Sequence, residues 1–190
     1  MNPKEILQVF KNKGALLEGH FLLSSGLHSG QYLQCAKVLE DPKASAKLSQ
    51  ALAAHFKKQK IDTVVGPAMG GIILAYELAR ALGARALFAE REKGKVCLRR
   101  GFSVKPQEKV LIAEDVITTG GSVKEVIKAI KGYGATIVGI AALIDRSGRK
   151  YPFGKIRFKS LKKIDIKTYT AKNCPLCKEG LPLVKPGSRK

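Results

Sequence analysis

Three features of the 190-residue chain predict an α/β fold with a parallel sheet flanked by helices. Short apolar runs alternate with helical repeats, those runs are apolar at successive positions, and glycines punctuate the junctions. A strand that is apolar on both faces must be covered on both faces, which is the condition inside such a sheet. The core is expected over about residues 41–148. Segments 1–40 and 150–190 break the rhythm and are expected to pack together as a smaller lobe of the same single domain, 1–190.

The N-terminal MNPKEILQVFKNKG predicts an amphipathic helix with Ile6, Leu7 and Phe10 on one side, and it lacks the apolar core of a signal peptide. Asp41-Pro42 pairs an N-cap residue with proline at the first helical position, so a helix is expected from there to about residue 60. Residues 62–65 read as a strand that ends in GPAMGG, 66–71. A helix over 72–82 stops at Gly83, placed as a glycine just past a helix end. A strand at 85–89 leads into a polar loop and a short hairpin expected around Phe102, then an apolar strand at 109–113. The next helix starts at Gly121, with Val123, Val126, Ile127, Ile130 and Tyr133 on one face, and Gly134 closes it. Residues 136–143 read as a fully buried strand. In 155–169, Lys155, Arg157 and Lys159 alternate with Ile156 and Phe158, the pattern of a half-buried strand whose lysines face water.

The net charge of +20 invites a polyanionic partner. Residues 145–190 hold 14 Lys and Arg against 3 Asp and Glu, so the excess is concentrated in the last quarter. Only Phe158 and Tyr169 interleave with those charges, too few for a base-stacking platform, and nucleic acid is not the expected partner. No apolar run is long enough to cross a membrane. Four cysteines, unevenly placed, do not make a secreted disulfide scaffold, and a soluble cytoplasmic protein is expected. Cys174-Pro175-Leu176-Cys177 is half of a zinc-binding pattern, but no second pair of proper spacing and no neighbouring histidine completes it. A disulfide, a metal shared between subunits and two packed thiols remain open. A structural role is expected, and no metal-ligating residue is assigned.

Residues 110–122, VLIAEDVITTGGS, carry the chemistry. Thr118, Thr119, Gly120, Gly121 and Ser122 join a strand to a helix N-terminus, where unpaired backbone N–H groups and the helix dipole favour an anion. The loop lacks the lysine of a nucleoside-triphosphate site, so a monophosphate fits it. Glu114 and Asp115, just before it, suit vicinal hydroxyls or a Mg²⁺ bridging them. Phosphate at one end and a diol at the other describe a ribose 5-phosphate.

The stretch VLIAEDVITTGGS resembles the signature of the type I phosphoribosyltransferases, which use phosphoribosyl pyrophosphate. The resemblance extends over nearly the whole chain to the members that act on orotate, through EGHFLLSSGLHS (18–29), GPAMGG (66–71), RALFAEREKGKVCLRRG (85–101), IDRSG (144–148) and NCPLCKEGLPL (173–183). It implies transfer of the phosphoribosyl group to orotate, with Mg²⁺, giving orotidine 5′-phosphate and pyrophosphate in pyrimidine synthesis. It implies that Glu114, Asp115, Val116, Ile117 and residues 118–122 hold the phosphoribosyl pyrophosphate. Thr118 stands where purine-using members carry an aspartate base; with Arg146 it is the implied orotate contact, since a fork of donors matches a carboxylate or imide oxygens. Ser25, Gly26 and Tyr32 are further candidates for the base pocket, and His28 is either another of them or an ordinary surface or capping residue. The loop 90–101 carries five basic residues, and it is read as a mobile lid whose Arg91, Lys93 and Lys95 close over the pyrophosphate. In the family such a lid reaches the neighbouring subunit's site, which implies a homodimer. Enteric members carry a lysine where Ser24 stands, another where Gly70 stands, and a histidine in the lid, so the candidates to replace those cations here are Arg91, Lys93, Lys95, Arg99 and Arg100. Two alternatives stand beside this reading. One is a sister enzyme for another base; the other is a regulator that keeps the phosphoribosyl pyrophosphate site and binds nucleic acid, although no N-terminal winged-helix segment is present.

Overall fold

The computed structural model describes residues 1–23, 25–148 and 153–186. In chain order the elements are α1 (Pro3–Asn12), β1 (Leu16–Leu22), β2 (His28–Leu33), α2 (Ala36–Leu39), α3 (Pro42–Ala53), β3 (Thr63–Pro67), α4 (Gly71–Leu82) and β4 (Arg85–Glu92). They continue with β5 (Lys95–Cys97), β6 (Lys109–Ile117), α5 (Gly121–Gly132), β7 (Thr136–Asp145), β8 (Phe158–Lys163), β9 (Thr168–Tyr169) and, after a 3₁₀ turn, α6 (Pro175–Lys178).

The main sheet has six strands in the order β5-β4-β3-β6-β7-β8, all parallel except the β4–β5 hairpin. Successive residues on its central strands face opposite layers, as strand geometry requires. Val64 and Leu111 join Leu48, Leu52, Phe56, Leu74 and Leu78 in one core, beneath α3 and α4. Val65 and Ile112 join Val123, Val126, Ile130 and Ile140 in the other, beneath α5. Each fully buried aliphatic side chain contributes about 1.5–3 kcal/mol, so the uninterrupted apolar strands hold the sheet between two helical layers.

Helix starts follow local chemistry. Asp41 accepts from the backbone N–H groups of Lys43 (2.8 Å) and Ala44 (3.2 Å), as its cap role predicts. Asn2 and Glu5 form a reciprocal capping box on α1, whose Ile6 and Phe10 are buried. A second, three-stranded sheet, β1-β2-β9, brings the two chain ends together.

Three expectations change. Strand β8 belongs to the main sheet, paired in parallel with β7 from Ile140↔Phe158 to Asp145↔Lys163, so the core extends beyond residue 148 and the small lobe loses that segment. Strand β7 is apolar at successive positions and leaves an open edge, which β8 covers. The hairpin expected around Phe102 lies earlier, because Lys93 (φ 47°) and Gly94 (φ 80°) form the reversal between β4 and β5. Strand β6 runs four residues past the expected end, carrying Glu114 and Asp115 within the sheet.

Candidate active site

The carboxyl ends of parallel strands converge on one edge, where sheets of this kind bind ligands. Strand β3 delivers the loop 68–70, β6 delivers Glu114 and Asp115, and β7 delivers Asp145 and Arg146. The Arg146 N–H donates to Ile117 O at 2.7 Å, tying the last two together.

Glu114 is buried and Asp115 half-buried, and neither forms an ion pair among the described residues. One Asp115 oxygen accepts from Val116 N–H at 2.7 Å, and one Glu114 oxygen accepts from Asp115 N–H at 3.2 Å. Burial, then the Asp115 charge, pushes the Glu114 carboxyl well above the ordinary range, and burial also raises Asp115. A buried and a half-buried carboxyl side by side form a hard-oxygen donor pair suited to Mg²⁺ or a diol. The backbone of Gly70 presses on this pair: a Cβ there would lie 2.9 Å from Asp115 Oδ2. A larger side chain at position 70 therefore does not fit with Asp115 in its present rotamer.

The phosphate-loop residues sit at the N-terminus of α5, with Thr118, Thr119, Gly121 and Ser122 exposed. Thr119 Oγ1 accepts from Gly121 N–H at 3.4 Å. Gly120 has φ 75° and its Cα lies against the Phe153 ring, which a Cβ would meet at 2.7 Å. Only glycine combines that backbone with that contact.

Arg146 is half-buried, and its Nε has no partner among the described residues. Arg146 makes no salt bridge with the neighbouring Asp145, which is buried and accepts from Ser147 N–H at 2.8 Å. Burial lowers the proton affinity of Arg146, opposed by Tyr32 and Cys35. The Tyr32 hydroxyl is raised by burial and then by Asp115, and the Cys35 thiol well above its usual value by burial, Asp115 and Glu114. Tyr32, Cys35, Glu114, Asp115 and Arg146 therefore share one neighbourhood. Cys35 is a member that sequence reasoning missed, and nothing in its local pattern marks it. Ser25 and Gly26 are exposed beside β2, and Ser24 lies outside the described residues.

The lid sequence forms the β4–β5 hairpin and leans on α5. Arg91 pairs with Glu125 of α5 and donates to Gly94 O at 2.7 Å. Arg99 pairs with Glu92 at 3.2 Å, and Arg100 with Glu90 at 3.0 Å while lying over the Phe88 ring. Lys93 and Lys95 are exposed and make no ion pair among the described residues. No hydrogen bond joins the lid cations to residues 114–122 in this conformation.

The structure also revises His28. It is buried, and together with His20 it meets Cys174 and Cys177. The histidines that the CxxC lacks in sequence are supplied by the β1–β2 hairpin.

A family model described as the phosphoribosyl transferase domain matches residues 36–171. The chain is 55% identical over 189 residues to an orotate phosphoribosyltransferase of Desulforamulus reducens, covering 100% of this chain and 98% of that one. It is likewise 55% identical over 190 residues to an orotate phosphoribosyltransferase of Caldicellulosiruptor bescii, covering 100% of both. The crystal structure of orotate phosphoribosyltransferase from Aeropyrum pernix superposes with a TM-score of 0.69 at 26% identity, over 84% of this chain and 93% of that one.

Proposed function

Because the chain belongs to the phosphoribosyl transferase family, among the orotate phosphoribosyltransferases, we propose a division of labour for its site residues. The reaction moves the 5-phosphoribosyl group from phosphoribosyl pyrophosphate to orotate, a step of pyrimidine nucleotide synthesis. The bond from ribose C1 to the pyrophosphate oxygen breaks, and a bond from C1 to a ring nitrogen of orotate forms.

Residues 118–122 hold the 5-phosphate on the N–H groups and dipole of α5. Glu114 and Asp115 accept hydrogen bonds from the ribose hydroxyls and fix the ring over the sheet edge. Arg146 and the Thr118 hydroxyl orient orotate, with Tyr32 as a wall; the unpartnered buried Nε of Arg146 is the observation that carries this assignment. Lys93 and Lys95, with Arg91 once released from Glu125, neutralise the departing pyrophosphate as charge builds on it. Mg²⁺, when bound beside Glu114 and Asp115, supplies further charge neutralisation to the leaving group. The exposed hairpin supports a lid that closes over a neighbouring subunit's site in a homodimer.

The test is an ultraviolet assay of orotate loss with phosphoribosyl pyrophosphate and Mg²⁺, beside uracil, adenine and hypoxanthine. Turnover confined to orotate is expected, abolished in Asp115→Asn and lowered on the order of 100-fold in Lys93→Ala. Consumption of another base in place of orotate would establish the sister-enzyme reading instead.

A further inference from the structure

We propose that His20, His28, Cys174 and Cys177 form a closed, four-coordinate zinc site that fastens the C-terminal segment to the β1–β2 hairpin. Their donor atoms all lie within 4.8 Å of one another. His20 Nε2 is 2.9 Å from His28 Nδ1, 3.5 Å from Cys174 Sγ and 3.7 Å from Cys177 Sγ, while Cys177 Sγ is 3.2 Å from His28 Nδ1. A tetrahedral ion with the usual Zn–S and Zn–N bonds separates its ligands by about 3.3 Å (N to N), 3.6 Å (N to S) and 3.8 Å (S to S). These four spacings lie within a few tenths of an ångström of that set, and the other donor pairs, within 4.8 Å, need to close by no more than about an ångström while the imidazoles part slightly.

The orientation of His20 is also fixed as a ligand requires. Its Nδ1 lies 2.8 Å from Leu181 O, a contact that needs the proton on Nδ1 and leaves the Nε2 lone pair facing the cluster. Two sulfurs, two imidazoles and no carboxylate select zinc over magnesium or calcium. Four protein donors leave no open position for substrate, so the role is structural.

Folding explains the need. Between residues 171 and 186 Cys174 alone is buried, and Leu181, Leu183 and Val184 are 43%, 44% and 51% exposed. Besides the His20–Leu181 bond, the segment has a 3₁₀ turn, the four-residue α6 and backbone bonds between Val184 and β1, at 2.8 Å from Val184 N to His20 O and from Leu22 N to Val184 O. Apolar burial of that size does not offset the entropy of ordering some sixteen residues, at roughly 1 kcal/mol or more each. A structural zinc supplies the missing stabilisation.

The experiment measures metal in the tag-free, full-length chain purified under reductant. Mass spectrometry should find one equivalent of zinc per chain, retained in Cys97→Ser and largely lost in Cys174→Ser. Because the latter variant can also misfold, the wild-type chain is stripped by chelation and titrated with Co²⁺. Intense visible bands of a four-coordinate ion with thiolate charge transfer, saturating at one equivalent, are expected. Limited proteolysis should then cut the metal-free chain within 171–186 and spare the loaded one. Absence of the cobalt spectrum in the reduced chain would overturn the proposal, as would a Cys174–Cys177 disulfide in protein prepared anaerobically. The readouts do not involve phosphoribosyl transfer, so the outcome is independent of the catalytic assignments.

Discussion

Adjacent glycines in the phosphate loop should respond to alanine in opposite ways. At Gly120 the φ of 75° alone costs an L-residue about 1–2 kcal/mol. Its Cβ would also lie 2.7 Å from the Phe153 ring, which is buried and packed edge-on against Phe158 with centroids 5.6 Å apart. Overpacking against a buried ring of this kind costs a further 1–3 kcal/mol, roughly. Gly120→Ala is therefore expected to lose about 2–5 kcal/mol, or roughly 5–15 °C in Tm for a chain of this size. It should also raise the KM for phosphoribosyl pyrophosphate about tenfold, since the N–H groups move with the loop. Gly121 has a helical backbone, and its Cβ would meet only Thr119 Oγ1 at 3.6 Å, an ordinary contact. Gly121→Ala should be neutral or more stable by up to about 1 kcal/mol. Urea denaturation of both variants, with initial-rate kinetics, tests the pair. Equal losses would refute the idea that left-handed backbone and the Phe153 contact, rather than glycine content, shape the loop.

Four further outcomes are expected. Arg146→Gln should raise the orotate KM by roughly 10- to 100-fold with little change in the phosphoribosyl pyrophosphate KM, as loss of charged hydrogen bonds predicts; parallel kinetics on both substrates would show otherwise. Glu125→Gln releases Arg91 and should lower the phosphoribosyl pyrophosphate KM about two- to fivefold, the worth of one surface ion pair; a rise would mean that the pair orders the lid productively. Asp115→Asn removes buried repulsion with Glu114 and should raise the ligand-free Tm by a few degrees while abolishing turnover, so calorimetry and kinetics move in opposite directions. At the remote end of β6, Glu108 meets burial that opposes ionisation, but Lys105 N–H, Thr63 and Arg85 outweigh it and hold the carboxyl at about 2 against an ordinary 4.5. Its stabilisation is complete above the ordinary value and is lost as pH falls toward 2, so Glu108→Gln should cost about 1–2 kcal/mol at pH 7, with the gap narrowing below about pH 4.5 and closing only near pH 2 in urea titrations.

The sequence was sufficient wherever the deciding interaction is local. Asp41 caps α3 because its carboxylate reaches N–H groups two and three residues on, and Gly83 ends α4 because a left-handed residue is needed there. The order of strands and helices follows from apolar periodicity, and the strand–TTGGS–helix junction reads as an anion cradle because backbone N–H groups at a helix start have no internal partner. Contacts between distant segments were not legible. The same Lys-apolar alternation suits an edge strand of either sheet, and only the open side of β7 assigns β8 to the main one. The lid arginines look like free cations in sequence, yet Glu90 and Glu92 within the hairpin and Glu125 on α5 hold them. Cys35 and the unpartnered Nε of Arg146 acquire meaning only from their neighbours across the sheet edge. The CxxC at 174–177 lies more than 140 residues from the histidines that meet it. Spacing rules detect ligands on one turn or hairpin; donors this far apart in sequence are brought together only by the tertiary fold, where the C-terminal segment runs beside the β1–β2 hairpin.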